Sequence, residues 1–282
     1  MLKLSHDHLP IELNKLSDTP KQLYVEGNNL EELLKRPKLA IVGSRKITPY
    51  GRGVTANIAQ KLAKKGVVII SGLALGADSV AHQACLDGGG QTIAVLASGL
   101  NNIYPSSHTN LAKEIVKTGG VVISENEPDY MPHPYDFLGR NRIIAALSDG
   151  VLVTEAAARS GSLNTASHAL NMGLPVFAVP GNITSPLSEG CNNLIKAGAI
   201  PVTSMEDIVN ALKWKDLSES HKKSVKYSPE EQVIIDLISS GISDGSELLT
   251  KSNLEAPVFN QALTMLEITA QVRPLGANHW SL

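Results

Sequence analysis

The chain has 282 residues, of which 43% are hydrophobic and only 4% are aromatic. This length suits one large domain and one small domain, with a core that is mainly aliphatic and rich in alanine. The net charge of −2 excludes a uniformly basic DNA-coating protein, so a nucleic-acid site would have to concentrate its positive charge in one place.

The cysteines and the apolar runs exclude further classes of protein. Cys85 and Cys191 form no CxxC pair, and no histidines stand at zinc-binding spacing, so we predict no disulfide scaffold and no structural zinc. We also predict no other metal and no cofactor. Residues 1–7 lack the apolar core of a signal peptide, and no apolar run approaches the roughly 20 residues of a membrane span. We therefore expect a soluble, cytoplasmic protein without a membrane partner.

The first part of the chain predicts alternating strands and helices. Residues 1–38 are expected to be a lead-in that packs on the first domain, which covers 39–213. The predicted strands are 39–43, 67–71, 92–96, 121–124, 150–154 and 175–179, and the helices after them end near residue 65 and then cover 76–88, 107–118, 136–147, 162–172 and 188–197. This alternation predicts an α/β fold with a doubly wound, mostly parallel sheet of the extended Rossmann-like type. Ligands of such sheets bind outside the carboxyl ends of the strands.

The end of the chain predicts a separate, acidic domain. Residues 214–227 are polar and rich in lysine, as expected of a linker, and residues 228–282 follow. The elements predicted in that block are three helices, one opening at Pro229 and two near 244–252 and 256–267, and two short segments near 272–273 and 279–280. This pattern indicates a small C-terminal winged-helix domain. The block carries a net charge of −5, and its presumed recognition helix has no Lys or Arg, so we predict that it contacts protein rather than duplex DNA.

The first predicted strand ends in Gly43-Ser44-Arg45, and Thr48-Pro49 is suited to start the next helix. Gly43 allows a sharp turn and the close approach of a ligand. Free amides at the helix start could hold a phosphate, and Arg45 could add a charged, forked donor. The alternative is a tight turn between strand and helix with Arg45 in solvent.

The second strand ends in the same manner, with Ser71-Gly72, and the next helix carries Asp78 and His82. These two side chains share one helix face and could form a metal pair. Because no third ligand occurs at a comparable position, we favour a helix-capping aspartate and a core or surface histidine.

Glu125 and Glu155 each directly follow a predicted strand. Two carboxylates at one sheet edge could act as an acid and a base. They could equally accept hydrogen bonds from neighbouring loop amides. The sequence leaves both interpretations open.

An aromatic and basic cluster, Phe137, Arg140, Asn141 and Arg142, precedes an apolar helix. An aromatic ring beside guanidinium and amide groups suits stacking on an unpaired base together with contact to phosphate. The alternative is a helix start whose arginines pair with nearby aspartates.

Small hydroxyl residues surround a glycine in the segment Arg159-Ser160-Gly161-Ser162, at the start of another predicted helix. Such a segment can form an anion-binding nest, or it can simply cap the helix. Several donor-rich turns at one sheet edge would together form a pocket for a polyanion with at least two phosphates.

The ordered motifs resemble those of the DNA-processing protein A family, also called DprA or Smf. The resemblance runs from about Pro20 to the end of the chain. The matching strings include Ile41-Val42-Gly43-Ser44-Arg45, Ser71-Gly72-Leu73-Ala74-Leu75-Gly76-Ala77-Asp78, Tyr104-Pro105, Ser124-Glu125, Arg140-Asn141-Arg142, Ser160-Gly161-Ser162 and Asn193-Leu194-Ile195.

The resemblance implies a recombination mediator and not an enzyme. Such proteins bind and protect incoming single-stranded DNA during natural transformation, form homodimers and help to load RecA. Arg45 would be the main phosphate contact, assisted by the backbone amides of Gly43, Ser44, Gly72 and Gly161. The residues carried over to DNA binding are Gly43, Ser44, Arg45, Ser71, Gly72, Phe137, Arg140, Asn141, Arg142, Ser160, Gly161 and Ser162. Those carried over to dimer or RecA contact are Asn192, Asn193, Leu194 and Ile195.

Two enzyme classes are the alternatives. A nucleotide-processing phosphoribohydrolase would carry a double glycine, which the segment 155–165 lacks. A dinucleotide-dependent oxidoreductase would carry G-x-G-x-x-G after the first strand and an acidic residue after the second. Here the first turn begins Gly43-Ser44-Arg45, and Ser71 ends the second strand.

Overall fold

The computed structural model describes residues 1–214, 227–269, 271–276 and 278–281. These residues fall into two compact units, one on either side of 215–226. The predicted linker, 214–227, lies outside the described residues except at its first and last positions. None of the described helices is long and apolar enough to cross a membrane.

The first unit is built on one nine-stranded sheet with the order β1-β2-β6-β5-β4-β3-β7-β8-β9. Every strand pair from β6 to β9 along this order is parallel, whereas β1 and β2 pair antiparallel with each other and β2 pairs antiparallel with β6. The predicted α/β, mostly parallel sheet is confirmed. The strands are β1 (Leu2–Ser5), β2 (Gln22–Glu26), β3 (Lys38–Val42), β4 (Val68–Ser71), β5 (Thr92–Leu96), β6 (Val121–Ser124), β7 (Val151–Val153), β8 (Val176–Ala178) and β9 (Ile200–Pro201).

Eight α-helices occur in the described part of this unit. They are α1 (Leu30–Leu34), α2 (Pro49–Lys64), α3 (Ala77–Asp87), α4 (Thr109–Lys117), α5 (Asp136–Ala146), α6 (Gly161–Asn171), α7 (Glu189–Lys196) and α8 (Met205–Ala211). The six predicted strands and the helices after them are all present, with ends that agree within two residues. As predicted, Thr48 caps α2: its side chain accepts a hydrogen bond from the Gly51 amide, and Pro49 occupies the first turn.

Helices cover both faces of the sheet, because the strand side chains alternate between two cores. Ala40 and Val42 of β3 belong to one core with α5, α6 and α7. Leu39 and Ile41 of the same strand belong to the other core with α2, α3 and α8. Continuous apolar strands are therefore buried on both sides, as expected of parallel strands. The strand order reverses at β3, which has β4 on one side and β7 on the other.

Residues 1–38 contribute more than the expected lead-in. They supply β1 and β2, which extend the sheet beyond β6, and Leu13, Leu23 and Leu33 are almost completely buried. The strand β2 has only three consecutive apolar residues between polar ends, so its sequence is too short to stand out. Its pairing with β6 is a long-range contact that local patterns do not encode.

The second unit contains the elements predicted for the tail. Three helices, Pro229–Ser239, Gly245–Ser252 and Ala256–Ile268, precede an antiparallel pair of strands, β10 (Arg273–Gly276) and β11 (His279–Ser281). The first helix begins with a capping box in which the Ser228 side chain and the third helical residue exchange hydrogen bonds with each other's backbone. The unit has a small apolar core of its own, made by the three helices and the residue before β10.

Candidate functional site

A cleft of about 640 Å³ lies at the carboxyl ends of the strands that flank the reversal of strand order. The segments after β3 and β7 and the first two turns of α5 and α6 line it, which is the position expected for a ligand of such a sheet. Nine of the predicted site residues meet in this cleft: Gly43, Ser44, Arg45, Phe137, Arg140, Asn141, Ser160, Gly161 and Ser162.

The turn after β3 is fixed by neighbouring elements. A Cβ atom on Gly43 would lie 2.8 Å from the Ala77 Cβ and 3.0 Å from the Glu155 carbonyl oxygen, so only glycine fits between α3 and the end of β7. The Ser44 amide donates to the Glu155 carbonyl at 2.7 Å, and the Ala77 amide donates to the Ser44 carbonyl at 3.1 Å. The expectation that the Ser44 amide is free for a phosphate is therefore wrong, because that amide holds the turn to β7.

The carboxylate of Glu155 fixes the start of α2. It is buried, and it accepts hydrogen bonds from the Thr48 amide at 2.8 Å and the Thr48 hydroxyl at 2.6 Å. Glu125 instead receives both terminal nitrogens of Arg142, at 2.8 and 2.7 Å. Of the two interpretations of these carboxylates, the structure supports hydrogen-bond acceptance, with Glu125 paired to an arginine side chain rather than to loop amides.

Arg45 is exposed at the edge of the cleft, with its guanidinium over the ring of Phe137 at 4.9 Å from the ring centroid. The same ring lies against Tyr104, with a centroid separation of 5.5 Å and an angle of 57° between the ring planes. The cation–π contact restrains the long Arg45 side chain in a position that faces the cleft.

Arg140 is a buried cation in the wall of the cleft, with only 4% of the residue exposed. Its Nη1 donates to the carbonyl oxygens of Gly72, at 2.7 Å, and Val95. Burial lowers the pKa of Arg140 to about 10, and the charge of Asp78 acts in the opposite direction. Asp78 is itself buried, and burial raises the pKa of its carboxyl group. The cleft therefore contains a charge held in place by backbone carbonyls.

Gly72 has a different role from the predicted one. Its amide donates to the Asp78 carboxylate at 3.1 Å, so it is not free to bind a phosphate. A Cβ atom at this position would overlap the Arg140 guanidinium. The glycine therefore makes room for the buried cation.

Ser71 and Arg142 do not line the cleft. Ser71 is fully buried and its hydroxyl donates to the Ile41 carbonyl at 2.6 Å, which links β4 to β3. Arg142 is ion-paired with Glu125, and its Nε donates to the Asp18 carbonyl. Because positions two apart on a helix point in nearly opposite directions, Arg142 cannot face the cleft together with Arg140. Both residues contribute to the structure instead.

The first turn of α6 forms the opposite wall. The Ser160 side chain accepts a hydrogen bond from the Ser162 amide at 3.4 Å, and the two hydroxyl oxygens are 2.8 Å apart. The Asn141 side-chain amide donates to the Gly161 carbonyl at 3.2 Å and to Asn164 at 3.3 Å. Asn141 thus connects α5 to α6, and the amino end of α6 faces the cleft with its partial positive charge.

The lining residues that were missing from the predicted site include Lys46, Tyr104 and Arg159. Lys46 directly follows Arg45, and Arg159 stands in the predicted segment Arg159-Ser160-Gly161-Ser162, so both could have been found from the sequence. Among the described lining residues the cations are Arg45, Lys46, Arg140 and Arg159, whereas the one carboxylate is Asp78. The cleft is therefore strongly positive in a chain whose net charge is −2.

Residues 1–213 match the family of DNA recombination-mediator protein A. The chain belongs to this family. It is 43% identical to DNA processing protein DprA of Streptococcus pneumoniae over 203 residues, which cover 72% of this chain and 71% of that protein. It is 45% identical to protein Smf of Escherichia coli over 236 residues, which cover 82% of this chain and 62% of Smf. The chain thus spans less than two thirds of the length of the Escherichia coli relative.

Two solved structures from the same family resemble the fold. DprA from Streptococcus pneumoniae superposes with a TM-score of 0.69 at 42% identity, covering 74% of this chain and 73% of that one. DNA processing protein A from Helicobacter pylori, solved in a study of its single-stranded DNA binding mode, superposes with a TM-score of 0.68 at 36% identity. That alignment covers 75% of this chain and 96% of the other.

In this member of the family, Asp78 and His82 do not form a metal pair. Asp78 accepts the amides of Gly72 and Ala74, and His82 is a core histidine whose Nδ1 is 2.7 Å from the Thr92 hydroxyl. Within the described part of the chain, no group of three or more His, Cys, Asp or Glu residues could hold a metal ion. The favoured helix-capping role of Asp78 is therefore wrong: its carboxylate caps the turn after β4, and the residue before α3 is Gly76.

The predicted contact segment of the family lies on α7. Asn192 exchanges two hydrogen bonds with the backbone of Gly181, at 3.1 and 3.2 Å, which fixes the loop after β8. Leu194 and Ile195 are partly buried against the core below, and Asn193 is exposed. The assignment of these residues to dimer or RecA contact stays a prediction.

Proposed function

We propose that the protein holds single-stranded DNA in the cleft and acts as a recombination mediator in DNA processing. The observation that carries this proposal is the contact of Arg45 with Phe137 at 4.9 Å, beside the further cations of the same cleft. A guanidinium next to exposed aromatic surface suits a ligand that combines phosphates with unpaired bases.

Three of the four cations support phosphate binding directly. Arg45, Lys46 and Arg159 are exposed along the cleft, so they can move onto an anion without leaving a buried partner. Arginine offers a forked pair of donors to phosphate oxygens, and the amino end of α6 adds a favourable field. The Ser160 and Ser162 hydroxyls stand at that end.

An unpaired strand fits the site better than a duplex does. The aromatic rings of Tyr104 and Phe137 are side by side in the cleft, and such rings stack on bases only where those bases are unstacked from a helix. The relative from Helicobacter pylori has been solved in a study of its single-stranded DNA binding mode. We propose the same ligand class for this chain.

We propose that the protein performs no catalytic step on the strand. The carboxylates predicted as possible acid and base are engaged by Thr48 and Arg142. A bound strand would instead be protected and presented to a recombinase. We accordingly propose RecA loading during natural transformation, a homodimer that uses the segment from Asn192 to Ile195, and a cytoplasmic location.

The proposal also assigns a role to each of the two domains. We propose that residues 39–213 are the DNA-binding domain and that the acidic block 228–282 is a winged helix that contacts protein. Residues 228–282 contain two basic and seven acidic side chains, and the negative charge opposes contact with DNA phosphates.

The decisive experiment is a titration of a labelled dT oligomer with the parent protein, Arg45→Ala and Arg52→Ala. Arg52 is exposed on α2 and does not line the cleft, so it is a matched control for the loss of one charge. We expect Arg45→Ala to weaken binding about 10- to 100-fold, since it removes a charged hydrogen-bond donor. Arg52→Ala should bind like the parent protein.

The same titration at several salt concentrations measures how many DNA phosphates the protein neutralises. For single strands the slope of log K against log salt is about −0.7 for each neutralised phosphate. We expect a small slope in the parent protein that becomes shallower in Arg45→Ala. Equal binding by Arg45→Ala and the parent would refute the cleft as the DNA site.

A further inference from the structure

Tyr104 belongs to the Tyr104-Pro105 motif. The proposed phosphate contacts do not involve this motif, so they do not explain it. The residue is 52% exposed although it is large and aromatic. It lines the cleft beside Phe137, so packing within a core does not explain its ring. Only 4% of the chain is aromatic, so two adjacent rings in one cleft are a local concentration of a rare type of side chain.

The rings form a continuous wall with Arg45. Phe137 is contacted by the Arg45 guanidinium at 4.9 Å and by the Tyr104 ring at 5.5 Å between centroids. Phe137 is half-buried between these two neighbours, whereas Tyr104 is the more exposed ring. Free aromatic surface in the cleft is therefore supplied mainly by Tyr104.

We propose that Tyr104 is a base-contacting residue, which stacks on an unpaired base of the strand whose phosphate Arg45 holds. This inference rests on the proposed function and deepens it. The cleft then has a cationic wall for phosphates and an aromatic wall for bases. The ligand class that fits both walls is a single strand with its bases present, and not a free polyphosphate or an intact duplex.

Stacking also determines the specificity that Tyr104 confers. Every base has a π-face, so stacking on tyrosine tolerates any sequence, whereas hydrogen-bond readout would select one. A phenylalanine at this position retains the ring and loses only the hydroxyl. The alternative role for Tyr104 is to position Phe137 and, through it, Arg45.

An abasic ligand separates these two roles. We would titrate labelled dT oligomers and abasic oligomers of equal length, with the same phosphates and no bases, against the parent protein, Tyr104→Ala and Tyr104→Phe. Tyr135→Ala is the matched aromatic control: Tyr135 is 68% exposed, its ring stacks on His133 at 5.5 Å, and it does not line the cleft. Circular dichroism would verify that each variant is folded.

We expect Tyr104→Ala to bind dT about five- to 150-fold more weakly, the range for the loss of one base–aromatic stack. Its affinity for the abasic oligomer should equal that of the parent protein, and Tyr104→Phe and Tyr135→Ala should bind dT like the parent. Undiminished dT binding by Tyr104→Ala would overturn the inference, as would an equal loss on both ligands or an equal loss in Tyr135→Ala. A parent protein that binds neither oligomer would overturn the proposed function and this inference with it.

Discussion

The guanidinium of Arg45 lies over the ring of Phe137, 4.9 Å from the ring centroid. One residue comes from the turn after β3 and the other from the first turn of α5, so the contact joins two segments that are distant in sequence. The aromatic face favours a cation above it and restrains the arginine without removing its hydrogen-bond donors. The cleft thus presents a charge that is already oriented for a ligand.

Replacement of Phe137 should test this relationship. We expect Phe137→Leu to weaken binding of a dT oligomer about five- to 30-fold, because the cation–π contact and one stacking surface are lost while an apolar side chain remains. Leu138→Ala is the control, since it removes an exposed apolar residue of the same cleft wall. Fluorescence anisotropy measures both. If Phe137→Leu keeps the affinity of the parent protein, the ring is not part of the binding surface.

Replacement of Arg140 should lower the stability of the protein. Arg140→Met leaves the Gly72 and Val95 carbonyls without their donor and Asp78 without its opposing charge. We expect a loss of about 3 kcal/mol in the free energy of unfolding, by analogy with a broken buried charge network. Urea denaturation measures it, with Arg52→Met as the exposed control. Adding Asp78→Asn to Arg140→Met should recover part of the loss, and a purely additive result would contradict coupling between the two residues.

Substitution of glycine by alanine should have opposite effects on stability at two positions, Gly43 and Gly53. Gly43→Ala brings a methyl group to 2.8 Å from the Ala77 Cβ, so we expect it to destabilise the protein by about 1–3 kcal/mol. Gly53 lies inside α2, and no other part of the described chain comes within 4 Å of the position that an alanine methyl group would take there. Gly53→Ala should therefore stabilise the protein by about 0.5–1 kcal/mol through helix propensity. Thermal and urea unfolding of both variants provide the comparison. A stabilising Gly43→Ala would show that the turn is not closely packed.

His82 should make the protein less stable in acid. Burial lowers the pKa of His82 to about 3, with His108 and Arg140 acting in the same direction. Between about pH 6.5 and 3 the unfolded chain binds this proton and the folded chain does not, so the contribution of His82 decreases as pH falls. The slope from this residue is at most about 1.4 kcal/mol per pH unit.

His82→Asn isolates that contribution, because an asparagine side chain can replace the contact of Nδ1 with the Thr92 hydroxyl. We expect its unfolding free energy to depend less on pH between 6.5 and 4 than that of the parent protein. Urea denaturation at several pH values measures both curves. Parallel curves would assign the acid sensitivity to other groups.

Much of the fold could be predicted because most of its strands and helices have local sequence patterns. The strand Thr92–Leu96 and the helix Asp136–Ala146, for example, have sequence patterns that can be recognised within the element itself. In contrast, β2 is recognised only through its pairing with β6, and β9 has two residues. These edge elements depend on partners far along the chain, so local periodicity does not predict them.

The residues of the candidate site were likewise predicted only in part. Arg45, Ser160 and Gly161 were predicted from turns that follow strands, and the structure brings them into one cleft. Ser71 was included because it ends a strand, and Arg142 because it belongs to the cluster with Phe137 and Arg140, but the orientation of each side chain directs it elsewhere. Ser71 bonds to the Ile41 carbonyl, and Arg142 pairs with Glu125.

The sequence by itself determined the α/β class, the family and the strand-end turns, because alternating apolar runs and ordered motifs are local properties of the chain. Only the tertiary structure decided which donors remain available. The Ser44 and Gly72 amides bond to Glu155 and Asp78, whereas the Arg45 guanidinium lies on Phe137 facing the cleft. The physical reason is that hydrogen-bond partners and side-chain directions depend on contacts between distant segments, and these contacts exist only in the folded protein.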